Sequence, residues 1–245
     1  MKLASLNLNL IETIMPGTNI LNSCENCENC WKGFKCLTNA EIELINENRY
    51  EAAFKPGEII LKQGAPSSNA LFLSKGLAKN YIEGIGGRNL ITAIFKPGIL
   101  ILSPGAYVNS RHTYTVSALT QLNACFINFD IFRQLVRSNA DFAEFLLEDF
   151  SRKSLYCNRK MINLAQKKMQ GRIAEALLVF SDEIYGSDEF EIPFSRQELG
   201  EMTNMVKESV VRILKEMEDG GIITATSSYI KINDKEKLKE ISETV

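Results

Sequence analysis

Residues 195 to 221 read SRQELGEMTNMVKESVVRILKEMEDGG, and no other stretch restricts the fold of this chain so tightly. Ser195, with Glu198 three positions on, forms a capping box that satisfies free amides at a helix start. That helix must be short. Gly200 leaves room for a close helix contact, and Asn204 tolerates the left-handed backbone of a tight turn. A second helix is expected from about Val206 to Glu218, stopping at Gly220-Gly221. Val206, Val210, Ile213, Leu214 and Met217 fall on its core side, and Lys207, Glu208, Val211, Arg212 and Lys215 on its outer side. IITATSSYIKI then supplies a strand, a turn and a second strand. Two helices across a tight turn followed by a β-hairpin describe a winged helix-turn-helix, whose second helix fits the major groove of double-stranded DNA. Arg212 carries the fork that matches guanine O6 and N7, and Glu208 can accept from a cytosine amino group. Spaced i and i+4, the two can hold each other's rotamers.

Upstream the texture differs. Phe54-Lys-Pro-Gly57 opens an eleven-residue segment ending at Gly64, and a similar segment runs from Phe95 to Gly105, an offset of 41 residues. Each pairs a Pro-Gly turn with a short aliphatic strand and a second glycine. With ALFLSKGLAKNYIEG, RNLITAIF, YTVSALT and LNACFINF, residues 50–130 read as a compact β-roll or jelly roll. From Ile131 to about Lys168 there is no glycine or proline, and helical spacing takes over. Leu146, Phe150, Cys157, Met161 and Leu164 form a seam close to a 3.5 period. Such a stripe packs either on the roll or on a second copy of itself. Cys157, on this seam, reads as a small core residue whose thiol could cross-link a dimer on oxidation. GRIAEALLVFSDEIY is an amphipathic helix and FEIPF a short strand. The expected class is α+β, with a cysteine-rich strap (1–38), a β-roll sensor domain (39–130), a dimerisation helix (131–168) and a winged helix-turn-helix domain (169–245).

A formal net charge of −2 argues against a uniformly basic coat, yet DNA binding needs only a local positive field. Arg152, Lys153, Arg159, Lys160, Lys167, Lys168 and Arg172 fall in one run without an acid; alone, such a run reads as a solvated helix face. No apolar run approaches the roughly 20 residues that span a bilayer. MKLASLNLNLIETIMPG lacks the pattern of a signal peptide. The expected compartment is a reducing cytoplasm, where clustered cysteines bind metal more often than they form disulfides. Gly84-Ile-Gly86-Gly87 lacks the third spaced glycine of a dinucleotide site, so no enzyme is expected.

RQELG…KESVVRILKEMED resembles the DNA-binding domain of the cyclic-AMP receptor protein/fumarate-nitrate regulator (CRP/FNR) superfamily. FKPGEIILKQG…LFLSKG resembles that family's cyclic-nucleotide-binding-type β-roll. The resemblance spans residues 38 to 235 and implies a homodimeric transcription regulator acting on a palindromic operator, with RNA polymerase as a further partner. It places Lys207, Glu208, Val211 and Arg212 against the groove, and Ser195, Arg196 and Gln197 near the phosphates. Two departures stand out. Val206 replaces the Ser or Thr that usually caps the reading helix, and Val211 is bulkier than the usual Gly or Ser.

The cyclic-AMP-binding members resemble one another in a glutamate and an Arg-Ser pair that hold the ribose and phosphate. Here no glutamate follows Gly98, His112-Thr113 stands where Arg-Ser would be, and Arg111 is one place out of register, so cyclic AMP is not expected as the ligand. CENCENCWKGFKC, residues 24 to 36, instead packs four of the six cysteines into thirteen positions. In the oxygen-sensing branch of the superfamily, three cysteines spaced C-x2-C-x5-C join a distant fourth to hold a [4Fe–4S] cluster. Cys27, Cys30 and Cys36 have that spacing, and Cys125 stands where the fourth is expected. Cys24 could substitute for one of them, and Cys24, Cys27, Cys30 and Cys36 could alternatively close a four-thiolate zinc knot. A signal of oxygen or nitric oxide at the cluster is the expectation. Structural zinc in a small-molecule-responsive regulator, and an iron–sulfur redox protein, are the alternatives. His112, the only histidine, reads as a loop residue; haem ligation by it is a minor option.

Overall fold

A computed structural model describes residue 27 and residues 29 to 244. Chain order explains the architecture. Thr38 caps α1 (Asn39–Glu47) through a reciprocal box with Glu41. Eight strands follow: β1 (Arg49–Phe54), β2 (Ile59–Leu61), β3 (Asn69–Lys75), β4 (Ala78–Glu83), β5 (Asn89–Phe95), β6 (Leu100–Ile101), β7 (Thr115–Ala118) and β8 (Leu122–Asn128). Between β6 and β7 lies a single helical turn, α2 (Gly105–Val108). The strands form two antiparallel four-stranded sheets, ordered β1-β8-β3-β6 and β2-β7-β4-β5. Leu71, Leu73, Ile101, Val116, Leu122 and Phe126 fill the space between them, alternate residues of each strand pointing inward. The β-roll expected from the sequence is present.

The two Pro-Gly segments are structural equivalents only at their starts. Gly57 and Gly98 both have φ of +87°, which explains the glycine at each turn. Their strands then join different sheets, β2 pairing with β7 and β6 with β3. Past β6 the second copy turns into α2, where a Cβ on Gly105 would lie 2.1 Å from the Arg111 carbonyl oxygen.

The glycine-free segment is two helices rather than one. α3 (Phe129–Ser138) ends at Asn139, whose side chain accepts from the Phe142 amide and starts α4 (Ala140–Gln166). An asparagine N-cap breaks a helix without glycine or proline, because its own side chain replaces the missing backbone acceptor. α4 is 27 residues long, about 40 Å at 1.5 Å per residue. No helix among the described residues is long and apolar enough to cross a membrane.

The C-terminal unit comprises α5 (Met169–Val179), which widens into a π-helical turn over Phe180–Tyr185, then β9 (Glu189–Glu191), α6 (Arg196–Thr203), α7 (Lys207–Asp219), β10 (Ile223–Ala225), β11 (Tyr229–Ile232) and α8 (Lys235–Ser242). The three strands form one sheet, ordered β10-β11-β9. α8 has no counterpart in the sequence reading. Asp234 caps it, and it closes on α5 at Gly171, where a Cβ would approach the Thr244 and Ile241 carbonyls at 3.0 and 3.1 Å. One apolar cluster joins this unit to the roll: Ile91 and Leu119 pack with Leu199, Met202 and Leu177.

Candidate nucleic-acid interface and cysteine site

The helix-turn-helix forms as its residues dictate. Ser195 Oγ accepts from the Glu198 amide at 3.2 Å, and Glu198 Oε2 accepts from the Ser195 amide at 2.7 Å. Asn204 takes the left-handed conformation, with φ 53° and ψ 54°. The chain turns so closely there that a Cβ on Gly200 would sit 2.5 Å from the Met205 carbonyl oxygen. Gly200→Ala should therefore cost about 1–3 kcal/mol of domain stability, to be read in urea unfolding. Arg172 braces the same turn, donating to the Thr203 and Asn204 carbonyls at 2.9 and 3.3 Å.

α7 buries Val210, Ile213, Leu214 and Met217 and exposes Lys207, Glu208, Val211, Arg212 and Lys215. Val206 departs from the expected core side. It is the N-cap, makes no side-chain cap bond and is 59% exposed. Arg212 does not pair with Glu208. It turns toward the helix C-terminus and donates to Glu216 at 2.5 Å, the i, i+4 partner in the opposite direction. Ser195 and Gln197 are exposed, while Arg196 is half-buried and donates to the Thr226 carbonyl at the tip of the wing. Burial pulls the Arg196 guanidinium below its ordinary value.

Sequence reasoning missed Lys79. From β4 it reaches Glu198 at 2.5 Å, so one carboxylate serves both the capping box and the roll. Burial would raise the Glu198 pKa, but the hydrogen bonds from Lys79 and Ser195 outweigh it and leave the group below its ordinary value. α6 also packs on β5, and the β4–β5 turn at Gly87–Asn89 shares a cleft with Gln197, Lys207 and Glu208.

The basic run is not a free positive field. Arg152 pairs with Glu148, Lys153 with Asp149, Arg159 with Glu183 and Lys167 with Glu175. Two of these acids lie one turn back on α4 and two on the next helical segment, so a count confined to 152–172 could not find them. Lys160 is pulled down to about 8 by burial, with Glu175 opposing.

The apolar seam on α4 is also displaced from its expected position. Leu146 is buried in the chain's own core, and Phe150 and Leu164 are half-buried. The exposed stripe carries Leu147 (67%), Leu155 (68%), Met161 (60%) and Ile162 (55%), so of the expected five only Met161 and Cys157 are exposed. Cys157 is therefore not a core residue. Successive residues differ by about 100° on a helix, and a seam shifted by one position moves by that angle.

The cysteines converge on one apolar cluster. A 3-10 turn over Lys32–Cys36 carries the strap onto α4. Trp31, 3% exposed, sets its ring edge-on to Phe142 at 5.7 Å and Phe145 at 5.4 Å. Cys27, Cys30 and Cys36 are half-buried against this cluster. Cys125, on β8 between Glu51 and Phe72 of its neighbours, is a buried member of it. Arg49 Nη1 lies 3.3 Å from Cys125 Sγ. Asn139 ties the strap to the start of α4: its Nδ2 donates to the Cys36 carbonyl and to Glu41, both at 3.0 Å, while its Oδ1 caps the helix. Cys24 lies outside the described residues. Among the described residues, no three His, Cys, Asp or Glu side chains close into a metal-ligating group. The donors fit an iron–sulfur cluster in chemistry and in neighbourhood: four thiols at one apolar core. His112 is buried rather than loop-exposed, and burial lowers its pKa.

A two-sheet roll joined by a long helix to a winged helix-turn-helix defines a transcription regulator that couples a sensor domain to DNA. A cyclic nucleotide-binding domain model matches residues 51–139, and a Crp-like helix-turn-helix domain model matches residues 171–241. The cAMP-activated global transcriptional regulator CRP of Salmonella typhimurium is 28% identical over 177 residues, 71% of this chain and 84% of its own length. Regulatory protein HlyX of Actinobacillus pleuropneumoniae is 25% identical over 221 residues, 86% of this chain and 92% of its own. FixK2 of Bradyrhizobium japonicum superposes with a TM-score of 0.73 at 18% identity, covering 80% of this chain and 98% of FixK2. The chain belongs to the CRP/FNR superfamily of DNA-binding transcription regulators.

Proposed function

We propose that the chain acts as a homodimer on a palindromic operator, and that oxygen or nitric oxide sets its affinity through a [4Fe–4S] cluster held by Cys27, Cys30, Cys36 and Cys125. The observation that carries this reading is the joint between strap and helix. Trp31 wedged on Phe142 and Phe145, with Asn139 bonded to the Cys36 carbonyl, makes the strap and the first turns of α4 one mechanical unit. Whatever orders the cysteines therefore also fixes the start of α4, one residue along from the exposed stripe that begins at Leu147. When bound, a [4Fe–4S] cluster supplies an oxidant-labile cross-link among four thiolates. Cyclic AMP is not the signal in this reading. Arg111 is spent on the Gly64 carbonyl at 2.7 Å, and no arginine lines the cavity between roll and α4.

On DNA, Lys207, Glu208, Val211 and Arg212 enter the major groove, Ser195 and Gln197 meet phosphates, and Arg196 positions the wing. Two reading helices related by a two-fold sit about 34 Å apart, and RNA polymerase receives the result. Arg212 must exchange Glu216 for guanine. Arg212→Ala is expected to cost about 1–3 kcal/mol and to relax preference at one G·C pair; uniform weakening across a base-substitution series would remove Arg212 from that role.

Anaerobic purification with iron and zinc analysis tests the sensing half. A brown protein that bleaches in air and then loses operator affinity supports it. A colourless zinc protein whose DNA binding ignores oxygen overturns it in favour of a structural knot. A brown protein with no operator affinity overturns it in favour of a redox protein.

A further inference from the structure

We infer that the cavity between the roll and α4 is a binding site for a small, uncharged, largely apolar molecule that donates one hydrogen bond to Asn80. The cavity measures about 360 Å³, within the range of small-molecule sites. Phe95, Leu100 and Leu102 come from the roll, and Phe150 and Cys157 close it from α4. That lining favours aliphatic or aromatic surface.

Its charge excludes an anion. The one cation on the wall, Lys153, is committed to Asp149 at 2.5 Å and to the Leu100 carbonyl at 2.8 Å. Tyr114 and Tyr156 also line the wall, and burial raises both hydroxyls, that of Tyr156 to about 12, so neither carries charge near neutral pH. A phosphate placed here would find no free guanidinium or ammonium to replace its water.

Asn80 supplies the polar anchor. It is 8% exposed and lines the cavity, and its Oδ1 is buried without a hydrogen-bond partner. The orientation of its amide is fixed by chemistry. Thr92 Oγ1 donates to the Asn80 backbone carbonyl at 3.3 Å and so accepts from Asn80 Nδ2 at 3.0 Å. The carbonyl end of the amide is left over. A buried acceptor without a donor is costly, and a ligand O–H or N–H relieves that cost. None of Cys27, Cys30, Cys36 and Cys125 lines this cavity, so the site is independent of what the cysteines hold.

The test uses 2-naphthol, a neutral bicyclic alcohol with environment-sensitive fluorescence, titrated into the full-length chain, with 2-methoxynaphthalene as the analogue lacking a donor. Saturable 2-naphthol binding is expected, about tenfold tighter than that of 2-methoxynaphthalene. Asn80→Ala should erase that preference. Ser154→Phe, placed on the exposed side of the cavity rim where it leaves the core intact, should abolish binding of both. Failure of 2-naphthol to saturate, equal affinity for the two naphthalenes, binding undiminished by Ser154→Phe, or displacement of 2-naphthol by cyclic AMP at equal concentration would each overturn the assignment.

Discussion

Leu155→Glu combined with Ile162→Glu is expected to convert a dimer into a monomer at micromolar concentration and to lower operator affinity more than a hundredfold. Both side chains stand on the exposed stripe of α4, at 68% and 55% exposure, where nothing in their own chain covers them. Burying a leucine or isoleucine stabilises an interface by about 1.5–3 kcal/mol. A two-fold axis counts each residue twice, and the substituted carboxylates would face one another unpaired. Neither residue touches the chain's own core, so the monomer should keep its fold and thermal transition. Sedimentation reads the first effect and binding to a palindromic duplex the second. A double variant that still sediments as a dimer would move the interface elsewhere. A monomer that bound with unchanged affinity would remove the palindrome from the reading. Leu146 and Leu164, from the seam expected by sequence, provide the contrast. Leu146→Glu should unfold the strap–helix core, because that side chain is 5% exposed within its own chain.

That contrast shows where the sequence was readable. The helix-turn-helix was legible to the residue, because each of its constraints is local: a capping box over three positions, a left-handed Asn204, a Gly200 with no room for a Cβ. The roll was legible for the same reason, since Pro-Gly turns and short aliphatic strands announce themselves one at a time. The seam on α4 was not. Apolar spacing reveals that a stripe exists, yet α4 carries two stripes about 100° apart. Only the tertiary fold decides that Leu146 faces Trp31 while Leu147 faces out. Charges failed likewise. The partners of Lys79 and Arg159 lie 119 and 24 residues away, beyond any window in which a run can be judged. Arg212 had two candidate partners at i−4 and i+4, and spacing alone could not choose between Glu208 and Glu216.

Cys125→Ser is expected to remove the iron and the air sensitivity together. Cys125 is the one candidate ligand that the roll contributes, buried in the middle of β8 some ninety residues beyond the strap. A cubane cluster takes four thiolates, and a serine hydroxyl is not one. Loss of a direct ligand should exceed the 10–100-fold change typical of residues that merely support a metal ligand. Serine keeps the volume and can still take a hydrogen bond from Arg49, so the sheet should survive, as circular dichroism will show. Cys157→Ser is the control. That thiol sits exposed on α4, away from the strap, and its loss should change neither iron content nor air response. Unchanged iron in the Cys125 variant would hand the fourth position to Cys24 and confine the site to the strap. Even then Asn139 and Trp31 would still join that strap to α4, and the coupling could be tested at those two residues instead. Unchanged iron together with an unchanged response to air would mean that the roll takes no part in sensing.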